Sequence, residues 1–188
     1  AGLSYEQTIT RIAASGLARQ AEMSCAWRET PLAGDPDAVA ALTAATGVFT
    51  EDEIAVAREL VSERLAKGPA SGYDFLFAEQ DGQLVGYACF GPIPATDKRY
   101  DLYWIAVTPA LHGRHLGRAI MRRSEQAMRR AGAHRVYIET SMREAYAPTR
   151  KFYIACGYRQ VAGLTDFYRA GDSKAIYAKA LNLDFGAS

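Results

Sequence analysis

The chain is poor in the residues that build metal and redox centres. Its 188 residues include only three cysteines and three histidines. Cys25, Cys89 and Cys156 are odd in number and widely spaced, which excludes a zinc-ribbon pattern and a fully paired disulfide framework. Reduced, buried thiols are expected instead. His112, His115 and His134 form neither H-E-x-x-H nor an i, i+4 pair, so no metal site is expected. An excess of one charge is also lacking. Lys plus Arg number 22 against 21 Asp plus Glu, a net charge of +1, so nothing draws the whole molecule toward nucleic acid or a membrane surface. No apolar run approaches the roughly 18 residues that suggest a membrane span. The opening residues show no charged-then-apolar signal pattern, and a cytoplasmic protein is expected. The fingerprints G-x-G-x-x-G and G-x-x-x-x-G-K-[ST] are both absent, as are internal repeats and low-complexity segments.

What is present reads as one mixed domain. Apolar content is 49% and charged content 23%, ordinary for a globular chain long enough to bury about 70% of its unfolded surface. Residues 1–22 stand apart: Ile9, Ile12, Ala13 and Leu17 have helical spacing, but Gly16 and the polar flanks weaken it. An appended remnant, an extra helix and an unstructured arm all stay open for this segment, and residues 23–188 form the expected domain. A first strand is predicted over 24–29 and a short helix over 37–45. A stronger helix follows over Glu51–Lys67, where Thr50 and Glu53 complete a capping box. Two β-rich runs, 75–79 and 84–90, flank Asp81-Gly82, a hairpin signal. Strands over 100–107, 135–140, 158–161 and 173–181 alternate with helices over 118–131 and 147–156. The order β-α-α-β-β-β-α-β-α-β-β implies an α/β protein, a mixed sheet of about seven strands with helices on both faces.

The most informative stretch is His112-Gly113-Arg114-His115-Leu116-Gly117-Arg118, between the strand that closes at Thr108-Pro109 and the helix that follows. A glycine turn between strand and helix offers free backbone N–H groups at a positive helix end, a site for phosphate or pyrophosphate. The run resembles the acyl-CoA pyrophosphate loop of the GNAT superfamily of N-acetyltransferases, [Q/R]-x-x-G-x-[G/A] after a strand. Gly113 and Gly117 fit; His112 stands where Gln or Arg is usual, and His115 where the first fixed glycine is usual. A second motif lies about 35 residues on. Phe152, Tyr153, Gly157 and Tyr158 match the later GNAT pattern F-Y-x-x-x-G-[F/Y], with Pro148 suited to a first helical turn and Gly157 to a left-handed cap. Type, order and spacing of the two motifs together imply a GNAT fold.

That resemblance implies acetyl-CoA, or another acyl-CoA, as donor. Backbone N–H groups from Gly113 through Leu116 to Gly117 would hold the pyrophosphate, with Arg114 and Arg118 adding charge-assisted bonds and His112 and His115 able to join them when protonated. Ile105, Ala106 and Val107 would pair with the pantetheine arm through their backbone and offer an N–H to the thioester oxygen. Tyr153 matches the position whose hydroxyl lies near the sulfur; a phenol of pKa near 10 can serve a departing thiolate while itself protonated at neutral pH. For the general base, Asp101 stands eleven residues before His112, with Glu139 as rival and ordered water as a third choice.

Acceptor recognition in the family usually comes from the loop between the first two helices and from the last hairpin. Here these contribute Phe49 and the run Asp166, Phe167, Tyr168, while Tyr103 shares the strand face of Asp101 by period two. Aromatics beside carboxylates suit a cationic amine. The expected function is direct acyl transfer to a primary amine of a small molecule. Three alternatives stay open: a protein Lys or N-terminal acetyltransferase, a transferase with an unusual donor such as aminoacyl-tRNA, and a non-catalytic acyl-CoA-binding module. The amine, the acyl chain and the oligomeric state, a homodimer included, are left open by the sequence.

Overall fold

A computed structural model describes residues 24–181. The segment 1–22, with its helical spacing at Ile9, Ile12, Ala13 and Leu17, lies outside the described residues. The described chain runs β1 (Ala26–Arg28), α1 (Asp35–Ala45), α2 (Glu51–Lys67), β2 (Asp74–Gln80), β3 (Gln83–Pro92), β4 (Arg99–Val107), α3 (Leu116–Arg130), β5 (Arg135–Ser141), α4 (Ala147–Ala155), β6 (Arg159–Arg169) and β7 (Asp172–Ala180). This is the element order expected from the sequence.

The seven strands form one sheet in the order β1-β2-β3-β4-β5-β7-β6. Only β4 and β5 run parallel, because α3 carries the chain back across the sheet between them. Helices cover both faces. On one side, Leu116, Ile120, Met121 and Met128 of α3 and Tyr153 of α4 pack against Leu76, Leu102, Val136 and Tyr177. On the other, Val39 and Leu42 of α1 and Ala57 and Val61 of α2 pack on Phe75, Phe77 and Tyr87. The capping box that starts α2 forms as its sequence predicts: Glu53 N donates to Thr50 Oγ1, and Thr50 N donates to Glu53 Oε2 at 2.8 Å.

Several boundaries differ from the sequence reading. α1 starts at Asp35, two residues early, since Pro36 fits a first helical turn. α3 starts at Leu116 rather than 118, so Arg114 lies in the turn before the helix. The segment from Asp166, expected as a hairpin loop, is still strand to Arg169; β6 is eleven residues long and exposed throughout. Its ladder to β7 is interrupted after Leu164, where it bulges toward the turn.

One irregularity matters most. In β4, Leu102 pairs with Phe90 and Trp104 with Cys89, so Tyr103 is an extra, unpaired residue. This bulge bends the strand and reverses its in–out alternation. Leu102 faces the α3 side before it, and Ile105 and Val107 face that side after it. β4 pairs with β5 only through Arg99, Tyr100 and Asp101. Beyond Asp101 the two strands part, and the β5-facing edge of residues 102–107 has no neighbouring strand among the described residues.

Candidate active site

A cavity of about 460 Å³ opens where β4 leaves β5. Ile105, Ala106 and Val107 form one wall; His112, Gly113, His115, Leu116, Gly117 and Arg118 form the second; Pro148, Thr149 and Phe152 of α4 form the third. Nine of the ten residues expected at the donor site therefore meet around one space. Arg114, the tenth, is an exposed turn residue outside the lining.

The loop has the geometry of an anion cradle. The first helical bond of α3 runs from Ala119 N to His115 O, so the N–H groups of Leu116, Gly117 and Arg118 precede the intrahelical ladder. Gly113 has φ +75°, and His115 has φ +64°, a left-handed conformation rare outside glycine. Histidine therefore occupies a backbone position that asks for glycine. Gly117 approaches α4 closely: a Cβ there would lie 3.4 Å from Phe152 Cε2. His112 turns its ring back to β4, where Nε2 donates to the Val107 carbonyl at 2.9 Å. It therefore braces the strand end to the loop.

Tyr153 lies beneath this cavity rather than in its lining. It is 6% exposed, with its ring 5.7 Å from Phe152, 6.0 Å from Tyr177 and 6.4 Å from Tyr158. Thr149, one turn earlier on the same helix face, does line the cavity. Burial pushes the Tyr153 phenol well above its ordinary range, so the hydroxyl stays protonated at neutral pH.

Asp101 sits at the other end of the free edge, at the last β4–β5 pair, opposite Tyr137. Its carboxyl is half-buried and pushed up to about 6, first by desolvation and then by the negative charge of Glu139, with Lys174 opposing. Tyr103 follows on the same side; its phenol rises to about 12 through burial and the nearby Asp101 charge, and its ring meets Tyr73 edge-on at 5.5 Å. Gly91 of β3 is the cross-strand partner of Asp101. Space is tight there, since a Cβ on Gly91 would lie 2.0 Å from Gly72 O.

The remaining expected residues surround this face. Glu139, on β5, is bound by Lys174 Nζ at 2.5 Å. Phe167 and Tyr168 come from the bulged end of β6, and the Lys174 ammonium stands 3.5 Å from the Phe167 ring centre. Asp166 serves the hairpin itself: its Oδ1 accepts from Gly171 N at 2.9 Å. Phe49 stacks on Trp104 at 5.9 Å and meets Tyr146 edge-on, fixing the α1–α2 loop over β4. Sequence reasoning missed Lys174. A lysine in a predicted strand reads as solvent-facing, and only the fold places it across from Ser141 on the face of Glu139. It also passed over Pro148 and Thr149, whose helix was read for its aromatic motif.

Among the described residues no helix is long and apolar enough to cross a membrane, and no cluster of potential metal ligands occurs. The three cysteines are free; Cys89 is buried, while Cys25 and Cys156 are half-buried.

Residues 40–158 match the family model described as acetyltransferase (GNAT) family. A crystal structure from Desulfovibrio desulfuricans, assigned to the GNAT acetyltransferases, is 46% identical, covers 83% of this chain and 98% of its own, and superposes with a TM-score of 0.82. At the level of fold alone, the Escherichia coli ribosomal-protein-S18-alanine N-acetyltransferase is similar, with 16% identity, coverage of 87% and 98%, and a TM-score of 0.68. So is an aminoglycoside 6'-N-acetyltransferase complexed with coenzyme A, with 15% identity, coverage of 85% and 99%, and a TM-score of 0.66. No curated protein matches the chain at a significant level. The chain belongs to the acetyltransferase (GNAT) family and is an N-acetyltransferase, which sets aside the reading as a non-catalytic binding module.

Proposed function

We propose that this GNAT enzyme moves an acetyl group from acetyl-CoA directly to a primary amine of a small molecule, with Asp101 taking the amine's proton. The single observation that carries the reading is the position of Asp101. It is a half-buried carboxyl at the point where the free edge of β4 begins.

The donor's phosphates belong at the start of α3, where N–H groups of Leu116, Gly117 and Arg118 precede the helical ladder. From there the pantetheine arm runs back along residues 107 to 102, bonding to backbone groups that no strand satisfies. The thioester then arrives near Tyr103, close to Asp101. A base titrating near 6 is ionised at neutral pH and takes, directly or through water, the proton that the neutral amine's nitrogen sheds as its bond to the thioester carbon forms. The amine attacks the thioester carbonyl, and a β4 N–H donates to the developing oxyanion. The C–S bond breaks, and Tyr153 donates a hydrogen bond toward the departing sulfur. Glu139 is the weaker candidate for the base, because its carboxylate is engaged by Lys174.

The Asp101 carboxylate and the rings of Tyr73, Tyr103 and Tyr137 favour a cationic acceptor. Free thiols suit a reducing, cytoplasmic setting. A peptide amine is the second reading. It draws on β6, an exposed edge strand to which an extended chain could add, with Phe167 50% exposed. The test is calorimetry with acetyl-CoA followed by thiol release over small amines and peptides. Micromolar binding, on the order of 8 kcal/mol, and faster turnover with small amines are expected. Absence of acetyl-CoA binding, or turnover of peptides alone, would overturn the reading.

A further inference from the structure

Lys174 is 8% exposed, an unusual place for an ammonium group. It projects from β7 onto the face that carries Asp101 and Glu139. Its Nζ lies 2.5 Å from Glu139 Oε2 and 3.5 Å from the centre of the Phe167 ring, with the Tyr168 ring at 5.7 Å. A carboxylate and two ring faces thus form a cage around the cation. Glu139 and Asp101 stand on adjacent strands, Asp101 opposite Tyr137 and Glu139 two residues further along the same face. Two carboxylates so placed repel each other, and the charge of Glu139 raises Asp101.

From this arrangement we infer that Lys174 is a positioning residue: it holds and neutralises Glu139, leaving Asp101 as the unengaged carboxyl of the two. The inference rests on the proposed role of Asp101. The cage gives Lys174 a fixed position, because Phe167 and Tyr168 close over it from the bulged end of β6. Among the described residues, the groups facing Asp101 are Tyr103 on its own strand (itself in edge-on contact with Tyr73), Tyr137 and Glu139 on β5, and Lys174 on β7. Glu139 and Lys174 act on Asp101 in opposite directions, Glu139 raising it and Lys174 lowering it. Removing Lys174 exposes Asp101 to the whole charge of Glu139. Removing Glu139 does the reverse.

The experiment compares Lys174→Met, Lys174→Arg, Glu139→Gln and the Lys174→Met/Glu139→Gln double variant with the wild type. Each is followed by the pH profile of turnover and by NMR titration of the Asp101 carboxyl in protein without acetyl-CoA. The acidic limb should begin near pH 6 in the wild type. Lys174→Met should move it up by about one unit, about a tenfold loss on the acidic side. Glu139→Gln should move it down, the double variant should return toward wild type, and Lys174→Arg should stay close to it. Should Lys174→Met fail to fold, the downward shift in Glu139→Gln still tests the coupling. Asp101→Asn separates the two claims. If it leaves the limb unchanged, the base assignment falls. If it abolishes the limb while both Lys174→Met and Glu139→Gln leave it in place, the role of Lys174 falls alone. Equal loss of rate at every pH in Lys174→Met would indicate mere structural support and overturn the inference.

Discussion

Replacing His115 by glycine should make the protein more stable, although it removes a side chain from the wall of the donor cavity. His115 sits at φ 64° and ψ 3° as the residue before α3. This left-handed conformation costs an ordinary L-residue about 1–2 kcal/mol. Glycine removes that cost but adds freedom to the unfolded chain, worth about 0.4–1 kcal/mol. The balance favours His115→Gly by about 0.5–1 kcal/mol. His115→Ala is the control: it removes the same imidazole but keeps a Cβ in the left-handed region, so the comparison isolates the backbone. Urea unfolding with matched m-values gives the difference. In a domain of this size about 1 kcal/mol moves the melting temperature by about 2–4 °C, so the glycine variant should melt roughly 1–4 °C above the alanine variant. Calorimetry with acetyl-CoA should show the glycine variant binding at least as tightly as the alanine variant, because the cradle is made of backbone N–H groups. A glycine variant no more stable than the alanine variant would refute the strain argument. Weaker binding by the glycine variant would refute the claim that this backbone is already set for the phosphates.

Three further outcomes are expected. Tyr153→Phe should lower turnover roughly 10- to 1,000-fold with little change in acetyl-CoA affinity by calorimetry; full turnover with chemistry rate-limiting would return Tyr153 to a purely structural role. Gly91→Ala should destabilise the fold by about 1–3 kcal/mol in urea, because its Cβ would lie 2.0 Å from a backbone oxygen and 3.3 Å from Tyr103 Cε2; a wild-type unfolding midpoint would contradict the packing beside Asp101. Thr50→Ala should cost about 1 kcal/mol through loss of the α2 cap, measured by thermal melting, while the rate of chemistry with saturating substrates stays unchanged.

That the residues proposed to hold the donor line one cavity follows from a local pattern in the sequence. Gly113, Gly117 and the start of α3 lie within one strand–turn–helix unit, and backbone N–H groups need only that unit to point at a ligand. The same locality made the capping box at Thr50 and Glu53 readable. The acceptor face is different. Asp101, Glu139 and Lys174 come from three strands, and their meeting depends on sheet order, which pattern and propensity do not specify. Period two correctly put Tyr103 on the side of Asp101, but it also implies that Leu102, Trp104 and Ala106 share one face. The bulge at Tyr103 sends Trp104 and Ala106 to the opposite side from Leu102. No residue type announces that bulge, since neither glycine nor proline is at hand in β4. Yet the bulge bends β4 where it leaves β5 after Asp101, and the cavity lies in the gap that results. The feature least visible in the sequence thus joins the two halves of the site. It leaves a strand edge that no described strand covers, where the donor is proposed to lie, and it ends that edge beside the carboxyl proposed to activate the acceptor.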